Sequence, residues 1–246
     1  EKFEENDPAI LGGMFAVWND HAGNGITVKD IHDRLFPALQ TLSAKCWTGA
    51  ATSFSFEDFN RLRLALSEAP AVNEAARWQK GKLLRIETLN PGQTTGEKEV
   101  GYGYRVEFTI EGADEPKGTV LFSSDNATFY LSDPESGQLG FAHEGYLNKF
   151  NYRVEKGKKV TLAITGDNRK TCLYVDGKLR EELGPITLYA MQQKDLATFQ
   201  KSDAAATQPI VYNPSAKMYY QRTLVFPLQK AGDFKSRITG VKVEQK

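Results

Sequence analysis

From residue 82 onward the sequence alternates. Tyr104-Arg105-Val106-Glu107-Phe108-Thr109-Ile110 carries an apolar side chain at every second position, and Val160-Thr161-Leu162-Ala163-Ile164 repeats the pattern. A period of two places one set of side chains on one face of a strand, so each stretch must bury that face against another layer. Strands are predicted at Leu83–Leu89, Tyr102–Ile110, Thr119–Phe122, Thr128–Leu131, Leu139–Ala142, Tyr152–Val154, Val160–Ile164, Cys172–Val175, Arg222–Phe226 and Phe234–Val243. Turn-forming groups separate them, among them Asp125-Asn126, Glu155-Lys156-Gly157, Gly166-Asp167-Asn168 and Asp176-Gly177. Short strands at short spacings, with no helical pattern between them, predict a mainly β, antiparallel two-sheet sandwich or jelly roll. Ala190–Lys217 is less regular and reads as a long loop with one helical turn around residues 195–200.

Residues 1–80 follow other rules. Gly12-Gly13-Met14-Phe15-Ala16-Val17-Trp18 is apolar on both faces, as a buried parallel strand would be, and polar Asn19-Asp20-His21 and glycines follow it. Thr27 and Asp30 have capping-box spacing. Ile31, Leu35, Leu39, Leu42 and Cys46 then recur at helical intervals, with Pro37 expected to start a fresh turn or kink the helix. A second helix is predicted from a Ser55 cap, with Asp58 three residues on, through Leu66, ended by Pro70. One strand, one loop and its helices cannot form a sheet alone. The expected division is therefore 1–80 and 82–246.

Charge excludes some functions. Thirty-one Lys and Arg balance 31 Asp and Glu, and the isoelectric point is about 7.1, so no bulk basic surface for nucleic acid is expected. Mean hydropathy is −0.46, and no apolar run is long enough for a membrane-spanning helix. Cys46 and Cys172 have no metal-type spacing and are expected as free, buried thiols, unbonded to each other. His21, His32 and His143 are too scattered to build a metal site; His21 reads as a solvated loop position and His32 as a surface or interhelical one. The chain opens on Glu1-Lys2-Phe3, without a start methionine or a signal-peptide pattern, and a preceding segment is expected.

Gly12-Gly13 through Trp18-Asn19-Asp20, the loop to Gly25, and Arg34-Leu35-Phe36-Pro37 on a helix reaching Trp47 form one ordered pattern. It resembles the eighth strand and helix of the family 20 glycoside hydrolases, the β-N-acetylhexosaminidases. The resemblance implies that residues 1–80 are a remnant of a (β/α)8 barrel. It implies that Trp18 belongs to the aromatic wall packed on an N-acetylglucosamine ring and that Asp20 accepts hydrogen bonds from the outer hydroxyls of that sugar. Such roles suit an aromatic face and a carboxylate. The family usually has Glu where Asp20 stands, so the carboxylate here is one methylene shorter.

In that family an adjacent Asp-Glu pair on strand four performs substrate-assisted, retaining hydrolysis. Strand four precedes strand eight, so the resemblance implies no catalytic residue in this chain. Asp114-Glu115 has the right letters but lies between Gly112 and Pro116, where a solvated turn is expected. Glu57-Asp58 suits a helix start. The implied parent is secreted, periplasmic or on the cell surface, and releases terminal N-acetylhexosamine from glycans. Implied partners are those glycans and the remainder of the catalytic domain; residues 11–18, apolar on both faces and without neighbouring strands, are expected either to be held by a second copy of the chain or to fold back on the chain's own helices.

The second region is similar to laminin-G or concanavalin-like sandwiches, through Val160-Thr161-Leu162-Ala163-Ile164-Thr165-Gly166-Asp167 followed by Thr171-Cys172-Leu173-Tyr174-Val175-Asp176-Gly177-Lys178. Gly118–Ser124 and Ile238–Val243 fit the same pattern. Such domains bind sugars, sometimes through calcium, or act as spacers. No cofactor is expected beyond the calcium that Asp125, Asn126, Asp133 and Glu135 offer oxygens for, although loop acids are ordinarily solvated. Tyr146, Phe150 and Tyr152 read as a sugar platform if exposed and as core if buried. Three functional classes follow: a hexosaminidase fragment, a carbohydrate-binding module, or a structural domain that buttresses the barrel.

Overall fold

The computed structural model describes residues 8–9, 11–17, 27–48, 55–66, 73–79, 81–143, 145–188 and 218–245. Two helices come first, α1 (Val28–Thr48) and α2 (Phe56–Ala65). Thr27 and Asp30 form the predicted capping box: the Thr27 hydroxyl accepts from Asp30 N at 3.2 Å, and Asp30 Oδ2 accepts from Thr27 N at 2.8 Å. α1 continues through Pro37 to Thr48. Ser55 caps α2 by accepting from Asp58 N at 3.1 Å.

The segment 11–17 is not the buried strand its composition predicts. It forms no helix or strand and is exposed, with Leu11 and Met14 almost wholly in solvent. A parallel strand needs a neighbour on each edge of its ladder and a layer on each face, and the described residues provide neither. The segment instead runs beside α1, where Gly13 approaches so closely that a Cβ there would lie 3.0 Å from Leu42 Cδ1.

The strands are β1 (Leu83–Leu89), β2 (Glu99–Val100), β3 (Tyr104–Glu111), β4 (Thr119–Ser123), β5 (Ala127–Ser132), β6 (Gly140–His143), β7 (Tyr146–Lys149), β8 (Lys159–Gly166), β9 (Thr171–Val175), β10 (Lys178–Leu183), β11 (Ile186–Leu188), β12 (Met218–Tyr220), β13 (Phe226–Pro227), β14 (Lys230–Ala231) and β15 (Arg237–Gln245). A six-stranded sheet, ordered β1-β15-β3-β8-β9-β10, stacks on a five-stranded sheet, ordered β14-β4-β5-β6-β7. β11-β12 and β13-β2 form two further short pairs. Every pair is antiparallel. The predicted two-sheet sandwich is therefore the fold of the second region.

Alternation builds its core. In β3, Tyr104, Val106, Phe108 and Ile110 are buried while Arg105, Glu107 and Thr109 are half-exposed. Phe129 and Leu131 of β5 and Leu162 and Ile164 of β8 join them. An irregularity in β4 between Val120 and Phe122 turns both Leu121 and Phe122 inward. Phe226 packs in their midst, its ring 5.1 Å from Phe129 and 5.7 Å from Tyr104. Burying each such side chain is worth about 1.5–3 kcal/mol.

Several strand boundaries move. Tyr152–Val154 forms no strand, although Tyr152 and Val154 still pack against the core. The expected strand Arg222–Phe226 contracts to β13. β7 and β10 are additions; β10 follows Asp176-Gly177, whose φ values of 48° and 78° make the tight hairpin turn that glycine favours. Ala190–Lys217 lies outside the described residues.

Candidate functional site

Trp18, Asp20 and His21 lie outside the described residues, so the resemblance-based sugar site is approached from its flanks. On one side Val17 ends the exposed apolar segment. On the other, Thr27 opens α1, and here the helix meets the sandwich. Asp30 is completely buried. Its carboxylate accepts from the Thr27 hydroxyl at 2.8 Å, the Tyr102 hydroxyl at 2.5 Å and the Thr223 hydroxyl at 3.0 Å, besides Thr27 N. Four donors on one buried carboxylate satisfy a charge that would otherwise be costly to desolvate.

Further polar contacts surround this joint. Lys29 pairs with Glu99 at 2.7 Å and donates to the Glu74 carbonyl at 2.9 Å. Asp33 pairs with Arg77 at 2.7 Å and accepts from Asn168 Nδ2 at 2.7 Å. Arg34, in the Arg-Leu-Phe-Pro motif, donates to the Asn168 carbonyl at 3.2 Å. One end of α1 is thus fastened by charge and hydrogen bonds to residues 74–77, to Glu99 of β2 and to the loop between β8 and β9.

The remainder of the helical pair faces nothing comparable. A groove of about 850 Å³ runs between α1 and α2, lined by Phe36, Leu39, Trp47, Phe56, Phe59 and Leu62 among others. Trp47 is 91% exposed, Phe56 73% and Leu66 64%. A soluble surface seldom carries so many large apolar groups in one place, and such patches ordinarily mark an interface. Cys46 is exposed on this helix, not buried as expected, while Cys172 is buried; both are free.

The loop acids considered for calcium do not converge. Asp125 and Asn126 precede β5, and Asp133 and Glu135 follow it, which separates them by roughly 20 Å along the strand. Asp133 is buried and committed to its own loop, accepting from Glu135 N and Ser136 N at 2.8 Å each, from Gln138 N at 2.7 Å and from the Ser136 hydroxyl. Burial alone would raise its pKa, but the Ser136 hydroxyl and these backbone donors outweigh burial and hold it below the ordinary carboxylate value. Glu135 pairs with Lys149 at 2.9 Å. Among the described residues no three His, Cys, Asp or Glu side chains gather as a metal site.

Other expectations resolve singly. Phe150 is fully buried, so it belongs to the core and not to a sugar platform. Tyr146 and Tyr152 are half-buried. His143 is buried against Phe141, their rings stacked 6.0 Å apart, and His32 is half-buried on α1. Glu115 is not a solvated turn residue: it accepts from Lys235 N at 2.9 Å and from both Ser236 N and the Ser236 hydroxyl at 2.7 Å, stapling its loop to the approach of β15. Asp114 is exposed.

A residue not singled out in the sequence is Tyr130. It stands on the outer face of the five-stranded sheet, between Val120 of β4 and Gly140 of β6. Its signal was legible: Phe129 and Leu131 point inward, so the tyrosine between them must point out. Its cross-strand neighbour Val120 lines a cleft of about 620 Å³.

No protein-family model matches the chain, and no curated protein matches it. Solved structures with a similar arrangement include domain 4 of AbnA, an extracellular GH43 arabinanase from Geobacillus stearothermophilus in complex with arabinotriose, at 12% identity and a TM-score of 0.31. That alignment covers 65% of each chain. The galectin LEC-6 from Caenorhabditis elegans aligns at 8% identity over 65% of this chain and 95% of its own, with a TM-score of 0.36. A sialidase from Trypanosoma rangeli aligns at 15% identity over 59% of this chain and 21% of its own, with a TM-score of 0.29. At TM-scores this low the likenesses carry no functional weight, and function must be read from the chain's own residues.

Proposed function

We propose that this chain is the C-terminal part of a β-N-acetylhexosaminidase, in which residues 1–80 complete the catalytic barrel and residues 82–246 form an accessory sandwich. The observation that supports it is the contrast between the two parts. The sandwich closes its own core, whereas the helical pair exposes Trp47, Phe56, Leu62 and Leu66 along a groove. A strand-helix unit separated from the rest of its barrel would leave that kind of face open. The remainder of the catalytic domain is the partner that fits it, and the ordered motif from Gly12 to Trp47 names the kind of barrel.

In this reading Trp18 packs against the ring of a terminal N-acetylhexosamine and Asp20 accepts from its hydroxyls. The general acid and the residue that orients the acetamido group come from upstream. The working site is extracellular or periplasmic; no helix among the described residues is long and apolar enough to cross a membrane.

The test is hydrolysis of an aryl N-acetyl-β-glucosaminide by the full-length parent. Asp20→Ala removes one charged acceptor worth about 1.5–3 kcal/mol, so kcat/KM should fall roughly 10- to 150-fold. Absence of hydrolysis by the parent, or an unchanged kcat/KM in the variant, would overturn the assignment.

A further inference from the structure

The two outer faces of the sandwich differ in chemistry. On the six-stranded sheet, the outward side chains include an ion pair within each of β3 and β15: Arg105 with Glu107, and Lys242 with Glu244 at 2.7 Å. Tyr174 on that face lies under the Arg105 guanidinium.

The five-stranded sheet presents the opposite. Antiparallel register lines up Val120, Tyr130, Gly140 and Lys149 in one row and Ser123, Thr128, Ala142 and Leu147 in the next. Only the outermost position of the first row is charged, and Lys149 there is paired with Glu135. The half-buried Tyr130 ring has the small Val120 on one side, and on the other Gly140, where a Cβ would lie 2.6 Å from the Asn148 carbonyl oxygen, so that only backbone adjoins the ring there. Two hydroxyls, Ser123 and Thr128, lie in the adjacent row.

The cleft adjoins this surface. Val120 and Ser123 form its wall on β4, Lys230 lies opposite Ser123 on β14, and Lys117 and Asp233 stand at its rim. Lys230 is exposed and forms no ion pair among the described residues. A volume of about 620 Å³ falls in the ordinary range for small-ligand clefts. An aromatic face beside hydroxyls and both signs of charge matches one ligand class in particular. A pyranose carries a C–H face that stacks on an aromatic ring and a rim of hydroxyls that both donate and accept.

We propose that the outer face of the five-stranded sheet binds a glycan chain, one sugar ring stacked on Tyr130 and the next lying in the cleft against Ser123, Lys230 and Asp233. This site is separate from the Trp18–Asp20 pocket. Only its ligand class leans on the reading of the chain as part of a glycan-processing enzyme, and its test measures binding, not hydrolysis.

The experiment uses the 246-residue chain on an array of oligosaccharides at least three sugars long, neutral and N-acetylhexosamine-containing. The strongest binder is then titrated. Tyr130→Ala should weaken binding about tenfold, whereas Tyr130→Phe, which keeps the stacking face, should stay within about twofold of the parent chain. Lys230→Ala, on the exposed rim, should weaken binding several-fold with the circular dichroism spectrum unchanged. Glu107→Gln, on the opposite face, should have no effect. The proposal is overturned if no oligosaccharide on the array binds, if Tyr130→Ala binds like the parent chain, or if Glu107→Gln loses as much as Tyr130→Ala. Hydrolysis by the full-length parent reports separately, so either reading can fail without the other.

Discussion

Asp30 and Tyr102 are 72 residues apart in the chain, and the Tyr102 hydroxyl donates to Asp30 Oδ1 at 2.5 Å in a place from which water is excluded. The aspartate serves two structures at once. Oδ2 closes the capping box of α1, and Oδ1 takes hydrogen bonds from two residues of the sandwich, Tyr102 and Thr223. A local helix signal thereby becomes the bolt between the two parts of the molecule.

Removing one donor from that carboxylate should be costly. Tyr102→Phe keeps the ring and deletes the bond, and a hydrogen bond to a buried charge is worth about 1.5–3 kcal/mol. Urea denaturation should show a loss of that size. A change below about 0.5 kcal/mol would mean that the carboxylate is satisfied without Tyr102.

The same pair predicts a response to alkali. Burial, and then the Asp30 charge, hold the Tyr102 pKa well above that of a free tyrosine. The unfolded chain therefore releases this proton first, near pH 10. Stability from the neutral hydroxyl is fully present below about pH 10 and is lost as pH rises beyond it. Tyr104 shifts in the same direction through burial. Unfolding measured between pH 8 and about 11 should show a decline that is shallower in Tyr102→Phe than in the parent chain.

Tyr104 should respond in the opposite sense to the same substitution. Its hydroxyl is buried with no hydrogen-bond partner among the described residues. Tyr104→Phe removes an unsatisfied polar atom and should stabilise the fold by about 1 kcal/mol, read as a higher Tm. The hydroxyl also explains its cross-strand neighbour. A Cβ on Gly166 would lie 2.4 Å from that oxygen, so Gly166→Ala should cost about 1–3 kcal/mol through overpacking.

Asp133 should make the loop between β5 and β6 acid-sensitive. Its pKa is depressed in the folded state, so its contribution is present above the unfolded value near 4 and is lost as pH falls below it. Asp133→Ala should cost about 2–3 kcal/mol at neutral pH and flatten the acid limb of the stability profile. Thermal melts at pH 7 and about pH 3 compare the two chains directly; parallel profiles would count against this role.

The open face of α1 and α2 should make the isolated chain self-associate. Light scattering is expected to report a dimer or larger species, and Phe56→Lys combined with Leu62→Lys should return a monomer. A monomeric parent chain at all accessible concentrations would show that the groove is covered from within the chain.

Much of this was legible in residue patterns. Period-two alternation at Tyr104–Ile110 and Val160–Ile164 located central strands, because side-chain spacing along a strand is set by covalent geometry. Asp176-Gly177 marked its hairpin and Thr27 and Ser55 marked helix starts, since each motif answers to backbone groups within a few residues. Gly12–Val17 misled for a related reason. Its apolar residues describe the environment a strand needs, and among the described residues no strand lies beside it to pair with.

The amino-acid sequence by itself determined the β-sandwich of residues 82–246 and the two helix caps, all of which depend on short-range geometry and periodic burial. Only the tertiary structure decided that Asp30 is a buried joint, that Glu115 is a staple and that Phe150 is core. It alone brought Tyr130, Ser123 and Lys230 onto one surface. Those outcomes depend on which strands become neighbours and in what register, and partners 72 or 120 residues away leave no trace in local spacing.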